Sequence, residues 1–440
     1  MKATKKVLWT WARELRRWLT PGLGVKRWLG LILLGTMFLG LGVAVLVLQV
    51  YRTAPETWWL PLLSTASLRF LPRPLRALIF GGIGVGLLGL GLWGLHRSLL
   101  APFLRPNRSV AQALAEYRRR EHGPHIVAIG GGHGLSTLLR GLKAYTHNLT
   151  AVVTVADDGG SSGRLRRDLG ILPPGDIRNC LAALSEDESL LSQLFQFRFS
   201  DQAGDLQGHS FGNLFLTALT ALTGSFEEAI AESGRVLAVH GRVYPATLRQ
   251  VQLVAEKTLP NQPGQVVKVK GESRIPEVPG CIRRLWLEPD DPPAYPAVIQ
   301  AILAADMVVV GPGSLFTSLL PNLLVPDIAG ALRATRALRV YVCNVATQVG
   351  ETDGFSCQDH LAVLETHVGQ GLFDLVLVNQ HIEGALPGTI QWVREDPQRP
   401  MPYPVHCADL VEEAHPWRHD PDKLARALVR LLEGRTGPLA

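Results

Sequence analysis

The stretch from residue 126 to residue 164 constrains the fold more than any other part of the chain. It reads IVAIGGGHGLSTLLRGLKAYTHNLTAVVTVADDGGSSGR. An apolar run at 126–129 is followed by three glycines, and residues 133–142 then have the apolar spacing of a helix. A second apolar run, 149–156, leads into two aspartates. The pattern predicts strand, turn, helix and strand, which is a βαβ unit of a buried parallel sheet.

The glycine turn at the start of this unit predicts an anion-binding site. Glycines there let the backbone approach a ligand, and the first N–H groups of the next helix have no partner within that helix. The spelling departs from the common dinucleotide fingerprint, which counted from Gly130 needs glycine where Leu135 stands. The turn therefore either holds a diphosphate or is only a tight connection, and the aspartate loop that follows favours the first interpretation.

Polar or glycine-rich loops follow four predicted strands, as a ligand cleft above a parallel sheet requires. These strands are 149–156, 306–310, 338–344 and 373–379. Together with the glycine turn and the helix starts, these loops contain the candidate ligand-binding residues Gly131, Gly132, His133, Gly134, Ser136, Asp157, Asp158, Ser161, Arg164, Asn179, His209, Asn213, Gly311, Gly313, Ser314, Asn344 and Gln348.

Structural alternatives remain open for some polar residues near helix starts. Asp176 is as well explained as the cap of the following helix as by a ligand contact. Ser210 is suited to cap the next apolar helix, which would leave His209 as a solvated loop residue. A Ser/His nucleophile pair is not indicated, because no G-x-S-x-G sequence accompanies them.

Between these loops, short alternating runs predict a β-rich insertion or sheet edge. The runs are 235–239, 248–255, 265–269 and 282–287. Helical spacing predicts helices at 177–184, 190–199, 214–222, 296–304 and 420–432. The last of these should close the sheet.

Two uncharged apolar runs, 28–51 and 77–96, precede the predicted α/β part. Each is about as long as a helix that crosses a bilayer, and neither has the polar face of a surface helix. A cleaved signal peptide explains the first run less well, because no A-x-A-like site follows and a second run comes after it. We therefore predict two transmembrane helices that form a hairpin anchor.

Positive charge predicts the orientation of this hairpin. The residues before the first run are rich in Lys and Arg, whereas the connecting loop holds only Arg52, Arg69, Arg73 and Arg76. The bias places the N-terminus in the cytoplasm, and two crossings return the chain there. We expect a protein of the inner or plasma membrane with both termini cytoplasmic, in which residues 1–108 form the anchor, 109–123 a linker and 124–440 the cytoplasmic domain.

The charge and cysteine content exclude some other classes of protein. The formal net charge is +6 with a pI near 9.2, but much of the excess flanks the apolar runs. It therefore indicates anionic headgroups rather than nucleic acid as the partner. The five cysteines lack C-x-x-C spacing, which supports neither a disulfide framework nor a zinc site and fits a reduced cytoplasmic domain.

Six blocks of sequence carry a resemblance to a known family. They are GGGHGLSTLLRGLK, TVADDGGSSGRLR, PPGDIRNCLAAL, GHSFGNLFLTAL, GPGSLFTSLLPNLLV and NVATQVGETDGFS, in order through most of 124–360. They resemble the bacterial YvcK proteins, the gluconeogenesis factor group of the superfamily that contains 2-phospho-L-lactate transferase (CofD). The hairpin is not part of the usual cytoplasmic form, and Val349 stands where the family pattern has proline.

The resemblance implies a Rossmann-like α/β domain, with a parallel sheet between helices, that binds a nucleotide sugar of the UDP-N-acetylglucosamine type and acts in cell shape, cell-wall and carbon metabolism. Two hypotheses follow. The chain is either a nucleotide-sugar sensor without turnover or a phosphotransferase with a nucleotide diphosphate donor, in which Asp157 or Asp158 also holds Mg²⁺. No catalytic residue is assigned beyond these two. A homo-oligomer and cell-wall regulatory proteins are further candidate partners.

Overall fold

The computed structural model describes residues 120–436 except 186–189, 201, 261–264 and 385, together with isolated positions between 36 and 89. The chain divides into two compact units, Met1–Arg118 and Arg119–Ala440. Most residues of the predicted spans at 28–51 and 77–96, and most of the linker, lie outside the described residues.

No helix within the described residues is by itself long and apolar enough to cross a membrane. The helices Leu315–Leu323 and Pro326–Ala334 reach that length and hydropathy only as a pair, with a bend of 75° between them. Their apolar side chains, including Leu319 and Ile328, are buried in the core of the second unit.

The second unit is built on a parallel sheet with a small antiparallel sheet beside it. The strands are β1 Ile126–Gly130, β2 Leu149–Val153, β3 Arg242–Pro245, β4 Gln252–Thr258, β5 Val266–Lys270, β6 Cys281–Glu288, β7 Met307–Val310, β8 Leu338–Val342, β9 Leu375–Asn379 and β10 Val405–Ala408. In the described residues the main sheet has seven strands in the order β10-β9-β8-β7-β1-β2-β3, and β5-β4-β6 form the other.

Helices connect the strands of the main sheet. They are α1 Gly132–Leu142, α2 Gly160–Leu169, α3 Gly175–Leu184, α4 Leu190–Gln196, α5 Phe211–Thr223, α6 Phe226–Val236, α7 Pro296–Leu303, α8 Leu320–Leu323, α9 Pro326–Ala334, α10 Cys357–Val368 and α11 Pro421–Thr436. A 3₁₀ turn lies at Gly204–Leu206 and a π-helical turn at Leu315–Leu319. Helix α1 packs against α3 and α11.

The strand order reverses direction between β1 and β7. From β1 the chain moves outward through β2 and β3, and it then returns to β7 on the other side of β1. In an open parallel sheet, the loops at the carboxyl ends of such a strand pair diverge and leave a crevice. The βαβ prediction for residues 126–156 is therefore confirmed, and the sheet topology places the glycine turn beside this crevice.

The β-rich insertion is also present, as the sheet β5-β4-β6, but its first predicted strand is wrong. Residues 235 and 236 end helix α6, which Ser225 caps by accepting a hydrogen bond from the amide of Glu228. The cap and the helical spacing of Phe226, Ala229 and Ile230 outweigh the short alternation that predicted a strand. The predicted strand at 248–255 begins too early, and β3 and β10 had no prediction.

Candidate functional site

Two turns meet at the crevice between β1 and β7. The turn after β1 enters α1, and the turn after β7 runs from Gly311, where φ is +91°, to Ser314. A Cβ atom added to Gly134 would lie 2.3 Å from the carbonyl oxygen of Pro312. The close contact between the backbones of the two turns therefore by itself requires glycine at position 134.

Polar side chains hold the second turn in place. Asn344, which follows β8, accepts a hydrogen bond from the amide of Gly313 at 3.2 Å and donates one to its carbonyl oxygen at 2.8 Å. The hydroxyl of Ser314 accepts from the amide of Thr317 and donates to the carboxylate of Glu351. Asn344 and Ser314 thus stabilise the wall of the crevice with most of their hydrogen-bonding groups.

An open cleft of about 630 Å³ lies above these turns. This volume is in the range of small-molecule sites. The lining comes from α1, the loops after β7, β8 and β9, and the segment that leads into the start of α11. The lining residues are His133, Gly134, Thr137, Arg140, Pro312, Gly313, Ser314, Asn344, Val345, Ala346, Thr347, Gln348, Val349, Ile390, Glu412, Trp417, Arg418, His419 and Pro421.

The cleft is positively charged beside the first turn of α1. Burial, followed by the nearby guanidinium groups of Arg418, Arg140 and Arg178, lowers the pKa of His133 below its ordinary value. His133 is therefore neutral at pH 7. Arg140 and Arg418, both exposed, approach from two walls of the cleft. Together with the free amides of a helix N-terminus, they form a site suited to an anion.

Asp176 occupies part of the turn that the sequence assigns to a diphosphate. Its carboxylate accepts a hydrogen bond from the amide of Gly132, and burial and the charge of Asp157 raise its pKa to about 6. Gly132 has a φ of +58°, and a Cβ on Gly131 would lie 2.7 Å from this carboxylate. The amides of His133 and Gly134, which line the cleft, are the ones that remain for a ligand.

Carboxylates cluster near the glycine turn and form an acidic group of Asp157, Asp158, Asp176, Glu272 and Glu351. Burial raises the pKa of Asp157. Burial and the charges of Asp157, Asp176, Asp158 and Glu351 raise the pKa of Glu272 to about 8. Through the hydrogen bond from Ser314 to Glu351, this acidic group extends to the wall of the cleft.

The insertion brings Glu272 to this acidic group. The loop from Gly271 to Gly280, which joins β5 and β6, has its Ser273 amide hydrogen-bonded to Asp158 at 2.9 Å. Lys257 on β4, fully buried, donates to the carbonyl oxygens of Ile275 at 2.9 Å and Gly350 at 3.2 Å. Asp158 and Lys257 thus attach the small sheet to the loops of the main sheet.

A third polar group lies over α2 and α5. The hydroxyl of Ser161 is 3.0 Å from Nδ1 of His209, and the Asn213 amide donates to the same hydroxyl at 3.0 Å. All three side chains are buried. Arg164 donates to the carbonyl oxygen of Gln207 and holds the loop that carries His209.

The predicted site residues therefore fall into separate groups. The cleft is lined by His133, Gly134, Gly313, Ser314, Asn344 and Gln348. Other predicted residues lie elsewhere: Asp157 and Asp158 in the acidic group, Ser161, Arg164, His209 and Asn213 in the third group, and Asn179 beside Arg178, from which it accepts a hydrogen bond. The Ser136 hydroxyl donates to the carbonyl oxygen of His133 within α1.

Within the described residues, no group of three or more His, Cys, Asp or Glu side chains is arranged to hold a metal ion.

Several lining residues carry no prediction from the sequence. Arg140 lies on α1, and Trp417, Arg418 and His419 lie directly before α11. The sequence contained a signal that could have predicted Trp417, Arg418 and His419 as site residues. A polar and aromatic stretch follows the carboxyl end of β10, as polar loops follow the other strands. It was missed because β10 itself is a short strand without an alternating pattern.

Comparison with known proteins identifies the family. The sequence matches the 2-phospho-L-lactate transferase CofD family over residues 126–436. A relative from Bacillus subtilis named "Gluconeogenesis factor" is 45% identical and covers 70% of this chain and 98% of its own. A relative from Nostoc sp. is 46% identical over 95% of this chain and 92% of its own. The chain belongs to the gluconeogenesis factor family.

A solved member of the family has a similar fold. The crystal structure of a UPF0052 family protein from Bacillus halodurans is 44% identical to the chain, with a TM-score of 0.65, and covers 70% of this chain and 98% of that one. The shared part corresponds in extent to the Bacillus subtilis match. The Nostoc relative also covers most of the N-terminal residues that precede this part.

Proposed function

We propose that this member of the gluconeogenesis factor family is a membrane-tethered receptor for a nucleotide sugar of the UDP-N-acetylglucosamine type, with a regulatory role in cell shape, cell-wall and carbon metabolism. The observation that carries the proposal is the basic cleft at the point where the strand order reverses. Ligands of open α/β sheets bind at that point. The family name supports a regulatory role.

The diphosphate of the ligand would bind at the first turn of α1. His133 and Gly134 line the cleft in the first turn of α1, where N–H groups without partners in the helix and the partial positive charge of the helix terminus favour an anion. Arg140 and Arg418 supply fixed charges for the phosphate oxygens. The acidic group repels an anion whereas the two arginines attract one, so the diphosphate is expected beside Arg140 and Arg418.

The rest of the cleft suits the base and the sugar. Trp417, Ile390 and Val349 offer flat or apolar surface, while Thr137 and Gln348 offer hydrogen-bonding groups. Sites for small molecules combine mostly apolar walls with a few polar groups that fix orientation. A nucleotide sugar, with one flat base and several hydroxyls, matches that combination.

The tether is proposed from the sequence and from the relatives. Isolated described positions within the two apolar runs are helical, and apolar side chains there, such as Met37, Leu78 and Val85, are exposed. The Nostoc relative covers 95% of this chain, whereas the Bacillus subtilis relative covers 70%. An N-terminal extension is thus a property of some members of the family and absent from others.

Titration calorimetry on the full-length protein in detergent tests the proposed ligand. We expect UDP-N-acetylglucosamine to bind, and Arg418→Ala and Arg140→Ala each to weaken binding about tenfold, because each removes a charge-assisted hydrogen bond to phosphate. Arg430→Ala, an exposed arginine on α11 outside the cleft lining, is the matched control. Absence of binding to the unaltered protein, or equal losses in all three variants, would contradict the proposal.

A phosphotransferase remains the second candidate, because the family match is to a transferase and an acidic group adjoins the turn. Among the described residues, only one or two carboxylates, from Asp157 and Asp158, would coordinate Mg²⁺. Most of the ligands of the ion would then be diphosphate oxygens and water. Such an ion would neutralise phosphate charge. Incubating the protein with nucleotide diphosphate donors and Mg²⁺ and analysing the products by mass spectrometry separates the two candidates, since the receptor releases its ligand unchanged.

A further inference from the structure

His419 is a buried histidine in the wall of the cleft whose hydrogen bonding is incomplete. It is 8% exposed and lines the cleft beside Trp417 and Arg418. One ring nitrogen bonds to the backbone of Cys343 at the end of β8, while Nε2 has no partner. The ring thus lies between the sheet and the cleft.

The bond to Cys343 determines which ring nitrogen carries the proton. Because Nε2 is unpartnered, Nδ1 makes this bond, and a backbone carbonyl can only accept. Nδ1 is therefore the N–H donor. Burial lowers the pKa of His419 to about 4, so the ring is neutral at physiological pH. Nε2 then has a lone pair with no donor, and such a buried acceptor is costly to leave unsatisfied.

The other polar side chains of this wall have less capacity for a ligand. Asn344 exchanges two hydrogen bonds with Gly313. Ser314 uses its hydroxyl for Thr317 and Glu351. Nε2 of His419 is therefore a buried acceptor in this wall that a ligand donor would satisfy. The nitrogen itself is buried, so the hydrogen bond to a ligand requires that the neighbouring side chains shift when the ligand binds.

We infer that His419 determines ligand specificity in this cleft, with Nε2 accepting a hydrogen bond from a hydroxyl group on a sugar ring of the bound nucleotide. The inference rests on the proposed function, because it requires a nucleotide sugar in the cleft. A ligand that lacks this hydroxyl leaves Nε2 unsatisfied and binds more weakly. Sites that hydrogen-bond a hydroxyl reject analogues without it more strongly than apolar sites do.

The test compares three variants of the full-length protein in detergent, with UDP-N-acetylglucosamine as the probe. His419→Phe keeps the ring volume and removes the acceptor, and we expect its affinity to fall about tenfold. His419→Gln keeps an acceptor oxygen and should bind within about threefold of the unaltered protein. His360→Phe is the matched control, because His360 is also buried with an unpartnered Nε2 but does not line the cleft. Its affinity should not change.

The source of the hydroxyl is found with UDP and with 2′-deoxy-UDP. If His419→Phe loses affinity for UDP but not for 2′-deoxy-UDP, the hydroxyl belongs to the ribose. If it loses affinity only for the nucleotide sugar, the hydroxyl belongs to the hexose. Thermal unfolding checks that each variant is folded. If His419→Phe is not folded, weak binding by folded His419→Gln decides against the inference. Normal binding by the unaltered protein and by folded His419→Phe overturns the inference alone. No binding by the unaltered protein overturns the proposed function and this inference with it.

Discussion

Two glycines in the first turn of α1 meet different demands. Gly132 has a positive φ of +58°, and a Cβ atom there would meet the Asp176 carboxylate at an ordinary contact distance of 3.8 Å, whereas a Cβ on Gly134 would lie 2.3 Å from the carbonyl oxygen of Pro312. A substitution at Gly132 therefore changes both the backbone strain and the access of a ligand to the turn. A substitution at Gly134 changes the contact between the two turns.

We predict that Gly134→Ala destabilises the protein more than Gly132→Ala does. The first change forces two backbone segments apart and should cost roughly 3 kcal/mol or more of unfolding free energy. The second places alanine in the left-handed region at about 1–2 kcal/mol. Urea unfolding of the two variants measures the difference, and equal costs would show that the turns can separate freely.

Glu272 gives a prediction for the effect of pH. Its pKa is raised from 4.5 to about 8 by burial and neighbouring carboxylates, so the folded protein binds this proton more tightly than the unfolded chain does. The contribution of this group to stability is therefore present below pH 4.5 and is lost as pH rises to about 8. We compare the free energy of unfolding of Glu272→Gln with that of the unaltered protein at pH 5 and at pH 9. The difference should shift in favour of the variant by about 2 kcal/mol from the lower to the higher pH, after allowance for solvent screening.

Denaturant unfolding at both pH values checks this expectation. Glu277→Gln is the control, because Glu277 lies in the same loop and is exposed. If the difference between the Glu272→Gln variant and the unaltered protein stays constant with pH, the carboxyl group of Glu272 is not held among the other carboxylates.

At the scale of elements, one lysine links the small sheet to the main sheet. Lys257 donates to carbonyl oxygens on the β5–β6 loop and on the loop after β8. We predict that Lys257→Met, which keeps the length of the side chain, costs roughly 3–5 kcal/mol, because buried carbonyls lose their donor. Lys268→Met, on the exposed face of the same sheet, should cost less than about 1 kcal/mol. Hydrogen exchange should locate the loss at residues 271–280, and uniform exchange throughout the domain would contradict this role.

At the scale of the whole molecule, we expect the predicted anchor, and not the α/β domain, to hold the protein on membranes. We predict that the full-length protein sediments with membranes and resists a high-salt wash, because apolar spans do not depend on charge. Residues 124–440 expressed alone should stay in the supernatant. That part corresponds to what the Bacillus subtilis relative contains, since 98% of that protein is matched by 70% of this chain. Full-length protein in the supernatant after high-speed centrifugation would show that the hairpin prediction is wrong.

The sequence by itself determined the local elements near the site. The βαβ unit, the glycine turn before α1 and the turn after β7 were predictable, because apolar periodicity and glycine placement reflect interactions between residues close in the chain. The resemblance also indicated the family correctly. The short strands β3 and β10 carry little periodic signal, and their existence depends on pairing with strands already in the sheet.

Only the tertiary structure decided which of the predicted residues share a cleft. Asp157 follows β2 and Asn344 follows β8, and their separation depends on the strand order, which local patterns do not encode. The same order brings Arg418 and His419, from the segment before the last helix, to the first turn of α1. It also places Asp176 on the amide of Gly132 and Glu272 among other carboxylates. Contacts between distant parts of the chain form only when the whole sheet is assembled, and these contacts decide which charged side chains lie together.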